Sequence, residues 1–254
     1  MARTGTCSWR DVRMAASVIM FLGASASELV AQQAAPPPPP VREGKAEFAF
    51  VATSGNSSTQ SIGAAGDVTY RPPAWVLNGK VIFVRNEAND LVSARSLATL
   101  GRAARVLTPR LQAFGQHQYL RDLFSGIAHR NSLDGGLSYL VLGTAKNTLF
   151  ADGGIGYLRE QRLLAADLST ATGLAGLRYK LALSSTADFT DDLLTTMDFA
   201  EAGTWRLAQA AALTARLATA LSLKVSNQIR FVNVPVPGFE RTDTITSTAL
   251  VVSF

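Results

Sequence analysis

Cysteine is nearly absent from this 254-residue chain: Cys7 is the only one, and it lies in an N-terminal stretch with the marks of a removable leader. The body of the chain therefore has no means of forming a disulfide, a thiolate metal site or a cysteine nucleophile. Histidine is scarce as well, with His117 and His129 alone. Two histidines far apart among scattered carboxylates give no ligand spacing, so neither metal nor cofactor is expected. A Ser/His pair is poorly served too. His129 and Ser132 stand three apart, which puts them on opposite faces of a regular strand, and no catalytic residue is assigned. No run of about 18 apolar residues follows the leader, which excludes a helical membrane protein. Charged residues make up 17% of the chain and the net charge is +5. Three arginines, one aspartate and one glutamate of that total lie in residues 1–31, so the remainder carries +4. Such an excess, with no basic helical stripe, gives no reason to expect a nucleic-acid partner.

The leader itself is well marked. Arg3, Arg10 and Arg13 form a basic region, Met14 to Gly23 an apolar region too short to anchor in a bilayer, and small residues follow. Residues 1–31 are read as a secretory signal peptide, cleaved after Ala26 or Ala31. Residues 32–44 are read as a periplasmic spacer, because Pro36 to Pro40 favour an extended polyproline II segment that cannot join a sheet. A proline-ligand recognition site is the alternative for that run.

Residues 45–254 then read as a single domain. Segments of roughly ten residues alternate weakly with a period of two and are separated by Gly, Pro, Asn, Asp and Ser. The strands expected are 45–53, 60–71, 76–86, 92–106, 110–120, 126–141, 148–160, 168–181, 185–191, 195–206, 214–230 and 242–254. Twelve is an even number, as a bacterial single-chain barrel with both termini on the periplasmic side requires. Short joins at Pro72-Pro73, Thr108-Pro109 and Thr144 to Asn147 fit tight turns, and longer ones such as Asn233 to Arg241 fit outward loops. Two segments, 93–107 and 207–223, are rich in Ala, Leu and Arg and read alone as amphipathic helices. A helix in the wall of a closed barrel would leave neighbouring strand edges unpaired in lipid, so both are assigned as strand.

Alternation also assigns faces. Phe48, Phe50, Val68, Tyr70, Tyr139, Ile155, Tyr157 and Leu177 fall on an apolar outer face, with aromatics near strand ends as interfacial girdles are. The opposite parity carries Glu47, Asp67, Lys80, Asp134, Asp152, Arg178, Lys180, Asp198, Arg206, Arg216 and Lys224. Charge at bilayer depth needs a wet or mutually paired interior, so these residues are the candidate lumen charges. Arg121, Arg130 and Arg162 are expected to face outward, towards lipopolysaccharide. Arg159 and Glu160 are expected at the rim, contributing little individually.

The chain ends on TITSTALVVSF, with Leu250, Val252 and Phe254 at alternate positions. This ending resembles the closing strand of bacterial outer-membrane barrels, which the barrel-assembly machinery reads during insertion. Ala52-Thr53-Ser54-Gly55-Asn56-Ser57, Gly156-Tyr157-Leu158-Arg159-Glu160, and Asn233 to Gly238 followed by Asp243-Thr244 are similar to the ordered motifs of the bacterial salt-induced outer-membrane protein family, a domain of unknown function. The resemblance implies an outer-membrane β-barrel with some link to salt or envelope stress, and it carries over no catalytic residues. The expected function is either a narrow pore for ions and small solutes or a non-conducting envelope component, monomeric, in contact with outer-membrane lipids. The alternatives are a lipid-modifying enzyme of small-barrel type and a soluble secreted β-sandwich, which would refold without detergent.

Overall fold

A computed structural model describes residues 40–53, 59–88, 91–201 and 203–254. The leader, most of the proline run and the Ser54 to Ser57 part of the first motif lie outside the described residues. Twelve strands follow in order: β1 (Arg42–Thr53), β2 (Thr59–Tyr70), β3 (Trp75–Ala88), β4 (Leu91–Val106), β5 (Leu111–Asp122), β6 (Ile127–Gly143), β7 (Asn147–Arg162), β8 (Leu168–Ala182), β9 (Ala187–Asp198), β10 (Trp205–Arg216), β11 (Leu221–Val232) and β12 (Thr242–Ser253). Each pairs antiparallel with its sequence neighbours, and β1 pairs with β12 to close the barrel. A strand of 12 residues, the length of β1 and β12, tilted by about 40°, rises roughly 30 Å, which matches the hydrocarbon thickness of a bilayer.

The two segments with helical composition are strands: 93–107 falls mainly in β4, and 207–223 is divided between β10 and β11. Closure decides this, because every wall segment must give its backbone groups to two neighbours. The sequence boundaries fail in one region. Asp192 to Leu194, expected to form a connection, lie inside β9, while the true connections are 199–204 and 217–220. Asp191-Asp192 resembles a turn in composition. In the fold the pair straddles the wall instead, with Asp191 hydrogen-bonded by Gln209 Nε2 at 3.1 Å on the outer face and Asp192 lining the lumen.

Connections at the end that carries the termini span three or four residues. Three of them share one pattern, in which the first residue after the strand donates across the turn: Leu107 to Leu111, Leu183 to Ala187 and Leu217 to Leu221, each at 2.9 Å. Thr144 closes the β6–β7 turn by accepting from Asn147 N with its hydroxyl, at 2.9 Å. At the opposite end the longest connection is 233–241. It turns at Gly238, whose φ of 88° suits a residue without a side chain.

The closing seam is short. β1 and β12 pair only over Lys45 to Phe48 with Leu250 to Ser253, four register pairs, extended by the exchange between Gly44 and Phe254. Every other neighbouring pair of strands runs for at least eleven, as β10 and β11 do from Arg206 to Arg216. Beyond Phe48 and Leu250, β1 stays paired with β2 and β12 with β11, but no register joins them to each other among the described residues.

Candidate functional site

The lumen is identified by ion pairs that cross it. Arg230 on β11 reaches Asp122 on β5 at 3.3 Å, and these strands are six places apart in a ring of twelve, diametrically opposed. Arg206 on β10 approaches Glu160 on β7 at 3.7 Å. Contacts of this kind are possible only between inward-facing side chains, which fixes the inner parity of each strand.

Every candidate lumen charge has its parity on that inner face. Lys224 donates to both oxygens of Glu47, at 2.7 and 2.9 Å, beside the seam. Asp67 accepts from Asn78 Nδ2 at 3.2 Å and stands in register with Lys80. Asp152 is held by Arg178 through Nε at 3.0 Å and Nη2 at 3.2 Å, and by Arg102 Nη2 at 3.1 Å. Asp134 is 3% exposed and takes Ser132 Oγ at 2.7 Å and Gln116 Nε2 at 3.3 Å on one oxygen. It has room because a Cβ at Gly156 would meet its carboxylate. Asp198 accepts from Thr170 Oγ1 at 2.5 Å and from Ala200 N at 2.8 Å, which folds the 199–204 connection. Lys180 pairs with Asp188 at 3.4 Å, exposed at the rim nearest the termini, and Arg216 is exposed at the end of β10 on the same side. Leu250, Val252 and Phe254 face outward from β12 and are exposed.

These charges do not form one cluster. Arg102, Asp152, Arg178, Gln116 and Asp134 make a continuous network along the β4–β8 wall, with Arg102 stacked 3.8 Å above the Phe114 ring. Phe114, Ala104 and Leu174 pack together beside it, so this half of the lumen is filled. A second network sits at the mouth opposite the termini. Glu160, 1% exposed, accepts from Arg130 Nε at 2.5 Å and Arg162 Nε at 2.6 Å. Glu160 is thus the buried centre of the mouth cluster, not a rim residue of little consequence, and Arg130 and Arg162 turn inward to it instead of outward. Arg121 and Arg159 are exposed on the outer face.

The 233–241 connection lies over this mouth. Val236 is buried, and Phe239 and Val236 occupy the space that a side chain at Gly126 would need. Gly126 belongs to the β5–β6 connection, on the far side of the ring from β11 and β12. Ser125 Oγ donates to Asp243 at 2.9 Å and ties the same two points together. Below the loop the free space shrinks to a cavity of about 40 Å³ lined by Glu160, Arg206, Arg230 and Val236. Deeper in the lumen are two larger cavities, of about 320 and 390 Å³, which share Lys80, Ile82 and Gln228 as walls.

Sequence reasoning missed Arg102, Asp122, Arg130, Glu160 and Arg230 as lumen residues. The signal was present for three of them, since Arg130 shares parity with Asp134 on β6, Glu160 with Asp152 on β7, and Arg230 with Lys224 on β11. The histidines are outside: His129 Nδ1 meets Tyr119 Oη at 2.9 Å on the exposed face, whereas Ser132 is buried in the lumen. Among the described residues no group of three or more His, Cys, Asp or Glu could hold a metal ion.

The chain belongs to the family described as "Protein of unknown function, DUF481", whose model matches residues 46–254. That match embraces the motifs on which the sequence resemblance rests. Among solved structures, the chain is similar to the NanC porin (9% identity, 84% of this chain and 97% of that one, TM-score 0.45). It is also similar to the translocator domain of the autotransporter NalP from Neisseria meningitidis (11%, 84% and 87%, 0.46) and to an anion-selective porin from Comamonas acidovorans (10%, 84% and 98%, 0.41). Identities and TM-scores of this size transfer no functional property. No curated protein matches the chain.

Proposed function

We propose that this DUF481 protein is a gated, narrow pore of the bacterial outer membrane, with its termini and short turns on the periplasmic side and the 233–241 loop on the outside. One observation carries the reading: a lumen with two adjoining cavities lies beneath a mouth latched across its full diameter by Arg230 and Asp122. A structural barrel has no need of hollow space behind a latch, and an open porin has no latch. Arg230 in the latch is partly exposed, unlike the buried Glu160 pairs beside it, so added salt weakens the Arg230–Asp122 attraction by screening. Ionic strength thereby becomes an opening signal, a physical form for the link to salt that the sequence resemblance implies.

Single-channel recording of the refolded protein in a planar bilayer tests this. Small steps whose open time grows with salt, beyond the rise expected from bulk conductivity, support the gated pore. Silence from folded protein at every salt concentration favours the second reading, a non-conducting envelope barrel whose cross-lumen network serves rigidity.

A further inference from the structure

Part of the inner wall is apolar, interleaved with Lys80, Gln118, Asp192 and Gln228. Ile82, Leu100, Leu120, Leu158 and Leu194 share parity with the lumen charges on their strands, and all line the cavity of about 320 Å³. Water makes no hydrogen bonds to such a surface, whereas a methylene chain laid against it is removed from water.

At one boundary of the same cavity stands a buried cation without an adequate anion. Arg206 is 7% exposed, and its Nε has no hydrogen-bond partner among the described residues. Glu160 approaches it only at 3.7 Å and is already engaged by Arg130 and Arg162. One carboxylate thus serves three guanidiniums. Arg130 and Arg230 line the cavity beside Arg206, so an oxyanion arriving there meets several donors, and a guanidinium fork suits carboxylates and related oxyanions.

The wall is least paired on the other side. The cavity of about 390 Å³ is lined by inward residues, Ala49, Ser226 and Ser247, and also by outward ones, Phe50, Thr246 and Thr248. This cavity lies where β1 and β12 no longer pair, so no strand register closes the wall beside it among the described residues. It adjoins the first cavity across Lys80, Ile82 and Gln228, so the two together extend from Arg206 to the seam.

We infer that the lumen binds a single-chain amphiphile with an oxyanion head, the head on Arg206 and the chain along Ile82 and Leu194, and that the chain passes between lumen and bilayer through the β1–β12 seam. The reading goes beyond that of an ion pore and does not depend on conductance.

The test uses the folded barrel in neutral-detergent micelles, titrated with 11-(dansylamino)undecanoic acid and competed with dodecanoate. Saturable fluorescence enhancement is expected, displaced by dodecanoate but not by dodecyltrimethylammonium. Arg206→Gln should weaken it about tenfold, the loss of one or two charge-assisted hydrogen bonds, while Lys180→Gln at the far rim leaves it unchanged. Equal binding to Arg206→Gln, or equal displacement by the cationic amphiphile, overturns the head-group assignment. Ile82→Trp keeps every charge and narrows the tail path. It should weaken dodecanoate more than hexanoate, and an equal effect on both counts against the chain's placement. For the seam, continuing the register sets Phe50 opposite Thr248. A Phe50→Cys/Thr248→Cys pair, alone in a chain freed of its leader, should on oxidation stop the probe exchanging from lipid vesicles, and reduction should restore exchange. Undiminished exchange in the cross-linked protein overturns the lateral route. Conductance without probe binding would leave the pore reading standing and remove this one; binding without conductance does the reverse.

Discussion

The Phe254 ring fills the place where a side chain at Gly44 would stand, and the same two residues exchange both backbone hydrogen bonds, Gly44 N to Phe254 O at 2.8 Å and Phe254 N to Gly44 O at 3.0 Å. With only four register pairs joining β1 to β12 beyond it, this contact is a substantial part of the closure. An aromatic ring laid across a strand glycine covers backbone that would otherwise be bare, a device used to pin register in sheets. Gly44→Val should displace the ring and weaken closure by about 1–3 kcal/mol, the usual range for overpacking. Heat-modifiable migration on gels, followed through refolding into lipid, would show slower closure and a lower melting temperature than wild type. Behaviour identical to wild type would mean that the terminal ring matters only for recognition during assembly.

Glu160 holds the mouth cluster together, so its neutralisation should cost more than that of any other lumen carboxylate. Glu160→Gln leaves Arg130, Arg162 and Arg206 facing one another with no charge between them. Breaking a buried pair by removing one partner typically costs about 3–5 kcal/mol, and water in the lumen places the expected loss near the lower end, about 3 kcal/mol. Urea unfolding in detergent measures it. Adding Arg206→Gln in the same protein should recover part of the loss, because one of the stranded cations is gone; a strictly additive double variant would show that the two residues do not interact.

How far the sequence speaks is clearest on β7. Its alternation placed Ile155 and Tyr157 outside and Asp152 inside, and that same alternation already put Glu160 in the lumen. Position near a strand end, and adjacency to Arg159, suggested a rim residue instead. What the strand alone could not disclose is which residues meet across the barrel, since Arg206 and Glu160 are 46 positions apart and their contact depends on tilt, stagger and curvature together. The apolar inner wall was hidden for a related reason. Leu100, Leu158 and Leu194 have the composition of lipid-facing residues, and only their parity relative to Arg102, Glu160 and Asp192 turns them inward. On β9 no local signal states that Asp191 faces out to Gln209 while Asp192 faces the lumen.

Gly126 is the point against which the long loop rests, and it adopts φ 74°. An alanine there meets Phe239 and Val236, and it also pays the left-handed penalty of about 1–2 kcal/mol. Gly126→Ala should therefore lift the 233–241 loop while leaving the wall strands paired. Limited proteolysis of the folded barrel is the direct readout: cleavage within 233–241 should accelerate several-fold over wild type, with the remaining strands protected. A loop as resistant as wild type would show that Ser125 and Asp243 hold it without the glycine.

The Arg230–Asp122 pair should behave as a latch whose strength falls with salt. Its partners come from opposite sides of the ring, and both lie in strand ends under the loop, where solvent reaches them in part. Asp122→Asn removes the attraction but keeps the shape. In planar bilayers it should raise open probability at low salt to near the wild-type value at high salt, and flatten the salt dependence. Arg230→Gln should do the same, and the double variant should add little, since either change already opens the latch. Reversing the pair, Asp122→Arg with Arg230→Asp, should restore gating if attraction across the mouth is what closes it. Single variants that keep the wild-type salt response would place the barrier deeper, at the layer of Phe114, Ala104 and Leu174, which no ion pair controls and salt would not release.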